Sequence, residues 1–281
     1  MDENSIKRSV FLPLTKLNLG FIGGGVIAEA ILSGLIRSGL NPQGFFVSEI
    51  KDSRLTYLSH KLGINPVRNN FDLVKNCDII ILAVKPAVVK EVMLEIGQEI
   101  KAEQTLISLA AGITTGFVAQ FMPEPRAVVR VMPNTPVLVG EGACAYCLGT
   151  HTQDKDKERV RAIFESAGKT VEVPESLIDV VTGLSGSGPA YMYLIIESFA
   201  SAGVRLGLPK EEALILSAQT MLGAAKMVLE TGEHPAKLKD EVTTPGGTTA
   251  AGLFSLEEGS LRAIIMRAVE KAALRAHELR K

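Results

Sequence analysis

The residues best suited to do chemistry form two groups, a glycine-rich turn near residue 24 and a threonine-rich stretch near residue 245. Gly23, Gly25 and Ala28 have the spacing G-x-G-x-x-A, directly after an apolar run of strand length and ahead of apolar residues at helical spacing. In a strand–turn–helix unit this spacing lets a pyrophosphate approach the backbone, and N–H groups at the start of the helix bind its oxygens. The turn therefore predicts a dinucleotide site, with a loop that binds nothing as the alternative.

The second group has the sequence TTPGGTT at residues 243–249 and precedes a helical run at residues 250–256. Hydroxyls and unpaired N–H groups at a helix N-terminus bind a carboxylate or a phosphate. Capping of the helix alone needs roughly one or two hydroxyls, fewer than the four threonines present. The stretch therefore predicts a second, anion-binding site.

Cys144 and Cys147 form a C-x-x-C pair, the spacing of redox dithiols and of some metal sites. Redox pairs of this kind lie at a helix N-terminus, whereas these two cysteines lie in an apolar run typical of a strand, where positions i and i+3 face opposite sides. A structural role is therefore predicted, and a redox or metal role is the less favoured alternative. The odd total of three cysteines indicates a reducing compartment, and we expect a cytoplasmic location.

Composition excludes several classes of partner. The 281 residues are 46% hydrophobic, and 30 Lys and Arg balance 31 Asp and Glu, so no basic field favours nucleic acid and a small-molecule partner is expected. No membrane span is expected, because Glu197 and Arg205 interrupt the apolar stretch at residues 189–206. Residues 1–16 are predicted to be a frayed extension, since Pro13 and Lys16 cut their apolar run short of a signal peptide.

The elements that must position these residues alternate between apolar runs and helical patterns as far as about residue 150. This alternation predicts an α/β fold with a doubly wound parallel Rossmann sheet, whose buried central strand is the apolar run at residues 78–84. From residue 175 on the pattern is helical, with Ser187 predicted to cap a helix that has Pro189 in its first turn. The predicted domains are residues 1–174, including the extension at 1–16, and residues 175–281.

Small and polar residues follow each predicted strand, and in open α/β sheets ligands bind outside the carboxyl ends of the strands. Lys85-Pro86, Ala110-Ala111 and Asn134 are in such positions. After the second strand, Glu49 is placed to bond the ribose hydroxyls of NAD, while its neighbours Ser48, Lys51 and Arg54 could instead bind the 2′-phosphate of NADP. A solvated turn whose charged side chains bind no ligand is the alternative.

The segment at residues 210–230 is apolar on more than one helical face. In a region of about 100 residues, such a helix needs cover on several sides, so we expect part of it to contact another subunit. A helix buried within its own chain is the alternative.

Five motifs resemble those of pyrroline-5-carboxylate reductases: GFIGGG at residues 20–25, AVKP at 83–86, VMPNTP at 131–136, TGLSGSGPAY at 182–191, and TTPGGTT at 243–249, preceded by His234-Pro235. The similarity extends over nearly the whole chain from Leu17 on. It implies a Rossmann domain followed by an all-helical dimerisation domain, and NAD(P)H-dependent reduction of 1-pyrroline-5-carboxylate to L-proline. It also implies a homodimer, with further assembly of dimers left open.

The resemblance assigns residues to each ligand. The cofactor implied by the resemblance is NADPH. NADH is left open, because family members often carry serine or another small polar residue at the position that is Glu49 here. The residues implied or predicted to line the cofactor are Ile22, Gly23, Gly24, Gly25, Val26, Ile27, Ser48, Asn70, Ala83, Val84, Lys85, Pro86, Ala110, Ala111 and Asn134. Those implied to hold the substrate are Val242, Thr244, Gly247, Thr248 and Thr249.

The helix beginning near Ser187 contains no lysine at residues 187–197, where hydroxyacid dehydrogenases of similar build need one as a proton donor. A cyclic imine can arrive already protonated, so its reduction needs only orientation, carboxylate binding, and C5 held about 3 to 3.5 Å from the nicotinamide. Thr249 is the predicted contact to the ring nitrogen. The alternatives are a β-hydroxyacid dehydrogenase, disfavoured by the absent lysine, and a dinucleotide sensor, in which the threonine-rich site would be superfluous.

Overall fold

Eight short strands, most of them apolar, form one sheet in the computed structural model, which describes residues 11–280. Its strand order is β3-β2-β1-β4-β5-β6-β7-β8. The strands are β1 (Leu19–Ile22), β2 (Phe45–Ser48), β3 (Asn65–Val67), β4 (Ile79–Leu82), β5 (Thr105–Ser108), β6 (Ala127–Met132), β7 (Gly142–Leu148) and β8 (Gly168–Glu172). Strands β1 to β6 are mutually parallel, which confirms the predicted Rossmann sheet.

Both faces of this sheet are covered. Alternate residues of one strand enter opposite apolar clusters, so that Ile81 belongs to one cluster and Ile80 to the other. Helices α1 (Val26–Arg37), α2 (Asp52–Leu62) and α6 (Asp154–Glu165) supply the first cluster, while α3 (Asn70–Asn76), α4 (Val89–Ile96) and α5 (Thr115–Ala119) supply the second. Strand β4 is buried throughout, as expected for the centre of a parallel sheet.

Strand β7 departs from the predicted all-parallel sheet because it runs antiparallel to β6. The chain between Met132 and Gly142 contains only a short 3-10 turn and Gly140, whose φ of +79° reverses the backbone. A parallel neighbour needs a crossover of about a dozen residues or more, for which this connection is too short. Strand β8 then pairs with β7 in parallel and closes this edge of the sheet.

The prediction of a frayed extension at residues 1–16 is wrong for the residues from Phe11 onward. Leu14 is 2% exposed, and Phe11 and Leu17 pack against the first apolar cluster. Leu12, Pro13 and Leu14 form a 3-10 turn that places Leu14 in this cluster. The rest of the extension, residues 1–10, lies outside the described residues.

The chain divides into two compact units. The first consists of the chain as far as Ser187 together with the segment from Ala272 on, and the second is Gly188–Lys271. The predicted domain boundary lies earlier, after residue 174. The second unit is helical, as predicted: α8 (Gly188–Arg205), α9 (Lys210–Thr231), α10 (Pro235–Glu241), α11 (Thr248–Glu258) and most of α12 (Leu261–Glu278). The short helix α7 (Ile178–Val181) belongs to the first unit.

Ser187 does not have the backbone of the predicted N-cap. Its φ of −84° and ψ of −20° are helical, whereas an N-cap is extended. The chain enters α8 from α7 through a π-helical turn at Thr182–Gly186, and the Ser187 N–H donates to Thr182 O at 2.8 Å. A π-turn of this kind often marks a functional site.

Helix α9 carries large apolar side chains that face outward within this chain. Ile215 is 65% and Leu229 66% exposed. By length and composition alone α9 could cross a membrane, and 6% of its most apolar window is buried. A helix that a second subunit covers has the same composition.

Candidate active site

The order of the strands reverses between β1 and β4, and the glycine turn lies at this switch point. Ile22 is paired with Leu82, and the Ala83 N–H donates to Ile22 O at 2.8 Å. Gly23 follows with a φ of +98°, and a Cβ there would lie 2.8 Å from Ala83 O. Only glycine fits this position, because both the backbone angle and the neighbouring strand exclude a side chain. The turn thus brings two strand ends together where dinucleotides bind in such sheets.

Gly25 plays a different part. A Cβ on Gly25 would meet no protein atom within 4 Å, and its φ of −66° suits any residue. No side chain caps α1 there, and the first helical bond runs from Glu29 N–H to Gly25 O at 3.0 Å. The N–H groups of the first turn of α1 therefore face open space, which is the cradle that a pyrophosphate requires. This turn fits the predicted cofactor.

A cleft of about 360 Å³ opens beside this turn, along the carboxyl ends of the strands. Eight of the residues predicted for the cofactor line it: Gly25, Val26, Ile27, Ala83, Val84, Lys85, Ala111 and Asn134. These residues come from four separate strand ends, so the tertiary fold assembles them as the rim prediction expected. The volume of the cleft lies within the usual range for ligand pockets.

The other residues predicted for the cofactor lie outside this cleft: Ile22, Gly23, Gly24, Ser48, Asn70, Pro86 and Ala110. Ser48 Oγ donates to Asn70 Oδ1, and Asn70 Nδ2 donates to Glu95 Oε2 at 2.7 Å. Ala110 is 3% exposed and packs in the core. Ser48 ends β2, and Asn70 is hydrogen-bonded to it, at the end of the sheet where the adenosine half of a dinucleotide would bind. Their role as cofactor contacts stays a prediction.

The cleft also includes residues outside the predicted set of cofactor contacts: Ala28, Leu109, Met132, Pro133, Thr135 and Gly186. Most flank residues that were predicted. Gly186 comes from the π-helical turn, which the sequence pattern had grouped with the helical region. Asn134 brings it into place, since Asn134 Nδ2 donates to Ser185 O at 3.0 Å while its Oδ1 accepts the Ala143 N–H at 2.9 Å.

The threonine-rich stretch lies in the second unit, between α10 and α11. Gly246 has a φ of +69°, and the Gly247 N–H donates to Thr244 O at 3.0 Å. Gly247 is the N-cap of α11 and has no capping side chain, so the N–H groups of Thr248 and Thr249 begin the helix without an acceptor among the described residues. The geometry is that of an anion site at a helix N-terminus.

The predicted substrate residues are grouped in this one turn: Val242, Thr244, Gly247, Thr248 and Thr249. Val242 is 66% exposed. The hydroxyls of Thr244, Thr248 and Thr249 form no hydrogen bond with other described residues, whereas Thr243 Oγ1 donates to Lys239 O at 2.7 Å and supports α10. His234 caps that helix through Nδ1, which accepts the Ala236 N–H at 3.2 Å. Three hydroxyls are thus available to a ligand, and their role stays a prediction.

The cysteines are structural, as predicted. Cys144 and Cys147 are buried in different apolar clusters, on opposite faces of β7. Burial raises the pKa of both thiols to about 12, which keeps them protonated and unsuited to redox exchange at neutral pH. Within residues 11–280 no group of three His, Cys, Asp or Glu side chains could hold a metal ion.

A parallel sheet with the order 3-2-1-4-5-6 and a glycine turn at its switch point defines the class of Rossmann dinucleotide-binding proteins. Residues 18–112 match the family model of NADP oxidoreductases dependent on coenzyme F420, and residues 175–279 match that of pyrroline-5-carboxylate reductase dimerisation. The chain belongs to the pyrroline-5-carboxylate reductase family, as its motifs predicted.

Three relatives support this assignment. The pyrroline-5-carboxylate reductase of Arabidopsis thaliana is 43% identical over 269 residues, which cover 95% of this chain and 97% of the relative. The solved structure of the Coxiella burnetii pyrroline-5-carboxylate reductase has a TM-score of 0.90 and 37% identity, covering 94% of this chain and 99% of that one. The Plasmodium falciparum pyrroline carboxylate reductase, solved with NADP bound, has a TM-score of 0.82 and 35% identity, covering 95% and 99%.

Proposed function

We infer that this chain catalyses the NAD(P)H-dependent reduction of 1-pyrroline-5-carboxylate to L-proline. The observation that carries this function is the similarity to named reductases over 95% of the chain, combined with an open glycine turn at the switch point of the sheet. Fold alone would not suffice, since Rossmann sheets serve many reactions.

The sheet half is proposed to bind the cofactor. The first N–H groups of α1 donate hydrogen bonds to the pyrophosphate beside Gly25, and Lys85 and Asn134 line the cleft farther along the strand ends. When bound there, the reduced nicotinamide supplies a hydride to C5 of the substrate. The residues around it hold the ring in place and limit the access of water.

The threonine-rich turn is proposed to bind the substrate. The N–H groups at the start of α11 and the Thr244 hydroxyl bind its carboxylate, because an anion is stabilised at a helix N-terminus. Thr249 contacts the ring nitrogen through a hydroxyl that no described residue engages. Helix α8 contains no lysine, which fits an imine that brings its own proton better than a carbonyl that must receive one.

The active form is proposed to be a homodimer in which the helical units cover each other, and higher assembly remains open. The exposed apolar residues of α9 and the dimerisation match at residues 175–279 support this state. The absence of a basic field in the composition supports a small-molecule substrate rather than nucleic acid. The three buried free cysteines support a reducing, cytoplasmic location.

One assay separates this function from its alternatives. The protein is mixed with pyrroline-5-carboxylate and either NADPH or NADH, and separately with NADP or NAD and a set of β-hydroxyacids, while absorbance of the reduced nicotinamide is followed. Loss of absorbance in the first mixture alone is expected. A gain in the second alone would indicate a hydroxyacid dehydrogenase, and no change in either would indicate a dinucleotide sensor.

A further inference from the structure

The side chain after β2 is held against the glycine turn. Glu49 Oε2 accepts the Gly24 N–H at 2.9 Å, and Oε1 accepts the Lys51 N–H at 3.0 Å. Two backbone donors therefore orient one half-buried carboxylate at the carboxyl end of β2. In a Rossmann sheet this position faces the adenosine ribose of a bound dinucleotide.

Two cations of α2 are engaged elsewhere. Arg54 donates from Nε to Gly24 O at 2.7 Å and pairs through Nη2 with Glu29 Oε2 at 2.5 Å. Lys61 pairs with the same Glu29 at 2.8 Å. Among the described residues no cation lies within 4.0 Å of Glu49, so its charge is not neutralised by an ion pair.

The hydroxyl side chain that could bind a 2′-phosphate is also occupied. Ser48 is 8% exposed, and its Oγ donates to Asn70 Oδ1. Lys51 and Arg68, which follow β2 and β3, are exposed, and a charge on a flexible exposed side chain is strongly screened by water. The group best placed to contact the adenosine ribose at this end of the sheet is therefore the fixed carboxylate of Glu49.

We propose that Glu49 makes this reductase selective for NADH over NADPH. The inference rests on the proposed function. A carboxylate accepts hydrogen bonds from the 2′- and 3′-hydroxyls of the NADH ribose. The 2′-phosphate of NADPH carries a charge of about −1.5 to −2 and no hydroxyl donor at that position, so it is repelled by the same group.

The test measures binding as well as turnover. Dissociation constants for NADH and NADPH are measured by the change in nicotinamide fluorescence without pyrroline-5-carboxylate, and kcat/KM is measured for each cofactor with it. In the wild-type protein we expect the dissociation constant to be about tenfold or more lower, and kcat/KM about tenfold or more higher, for NADH than for NADPH. Glu49→Gln should lower this preference for NADH about tenfold. Glu49→Ser should lower it further, chiefly by tighter binding of NADPH.

A matched control is Asp52→Asn, which removes one negative charge from the start of α2. Among the described residues Asp52 forms no hydrogen bond or ion pair with Glu49 or with the glycine turn. It should leave the ratio within about twofold. Equal effects of Asp52→Asn and Glu49→Gln would assign selectivity to net charge and overturn the proposal. If both Glu49 variants fail to fold, raising the salt concentration with wild-type protein still tests it, because screening should improve NADPH binding relative to NADH.

The outcomes also separate this inference from the proposed function. A wild-type preference for NADPH, with pyrroline-5-carboxylate reduced normally, overturns the role of Glu49 alone. Absence of binding for both dinucleotides overturns the reductase itself. A preference for NADH that Glu49→Gln leaves unchanged places the selectivity in another residue.

Discussion

Arg130 on β6 and Asp179 on α7 form a buried ion pair, with Arg130 Nη2 3.6 Å from Asp179 Oδ1. Neither Nη atom of Arg130 and neither carboxylate oxygen of Asp179 forms a hydrogen bond with another described residue. Arg130 is 1% exposed and Asp179 6%. Glu175 Oε1 lies 3.7 Å from Arg130 Nη1, while Arg280 approaches Asp179 from the C-terminal segment at 3.5 Å. The pair fastens α7, and with it the π-helical turn, to the strand that ends in the cleft.

Replacement of Asp179 by Asn should therefore destabilise the protein, because it leaves the buried Arg130 charge without its nearer partner. We expect the free energy of unfolding to fall by about 1 to 3 kcal/mol, because Glu175 still lies 3.7 Å from Arg130 and partly balances its charge. Urea unfolding at fixed protein concentration measures this loss. Glu124→Gln, which removes the exposed partner of Arg126, is the control and should change stability by about 0.5 kcal/mol or less.

The glycine turn allows substitutions with opposite consequences. Gly25→Ala adds a Cβ that meets no protein atom but enters the phosphate cradle, so the dissociation constant of the cofactor should rise about tenfold or more while stability changes by less than about 1 kcal/mol. Gly23→Ala must adopt a φ of +98° and approach Ala83 O to 2.8 Å, so it should cost about 1 to 3 kcal/mol of stability. Calorimetric titration and thermal unfolding distinguish the two. Equal loss of stability would contradict an open cradle at Gly25.

Thr249→Ala should lower kcat/KM for pyrroline-5-carboxylate about ten- to a hundredfold, since a hydrogen bond to a charged imine is lost. Thr249→Ser keeps the hydroxyl and is expected to restore most of this activity. Steady-state kinetics at saturating cofactor measure both variants. Wild-type kcat/KM in Thr249→Ala would remove this residue from the mechanism and leave carboxylate binding at α11 intact.

Subunit contact through α9 predicts a change in molecular mass. Ile215→Glu places a charge on a 65% exposed apolar residue of α9, and burial of that charge at an interface would be costly. We expect dissociation to monomers at micromolar concentration in sedimentation velocity. Leu94→Glu on α4, at a residue 64% exposed, should leave the dimer intact. A dimer that persists in Ile215→Glu would place the interface elsewhere.

The buried thiols predict a dependence of stability on alkaline pH. Burial raises the pKa of Cys144 and Cys147 from 9.0 to about 12. Unfolded thiols lose their protons above about pH 9, whereas the folded ones hold theirs, so stability should fall between about pH 9 and 12. Cys144→Ala/Cys147→Ala should flatten this decline. At pH 8 a disulfide reagent should label neither cysteine until the protein unfolds, and labelling of the native protein would contradict burial.

Much of the fold followed from the sequence because its determinants are local. The strand before Gly23, the helix after Val26 and the apolar run at β4 depend on spacing and composition within a few residues. The positions of Cys144 and Cys147 on opposite faces followed from strand periodicity alone. Strand ends also share one edge of a parallel sheet, which is why rim residues from separate motifs were predicted together.

The Rossmann sheet, the glycine turn and the threonine-rich helix start could all be predicted from the sequence, since each depends on short-range backbone geometry. The direction of β7, the burial of Leu14, the place of Gly186 in the cleft and the contacts of Glu49 became evident only in the folded chain. These depend on which distant groups meet: Glu49 binds Gly24, and Asn134 binds Ser185, across separations that no local pattern records. Many residues of the same chemical type could in principle form these contacts, and only packing of the folded chain brings one particular pair together.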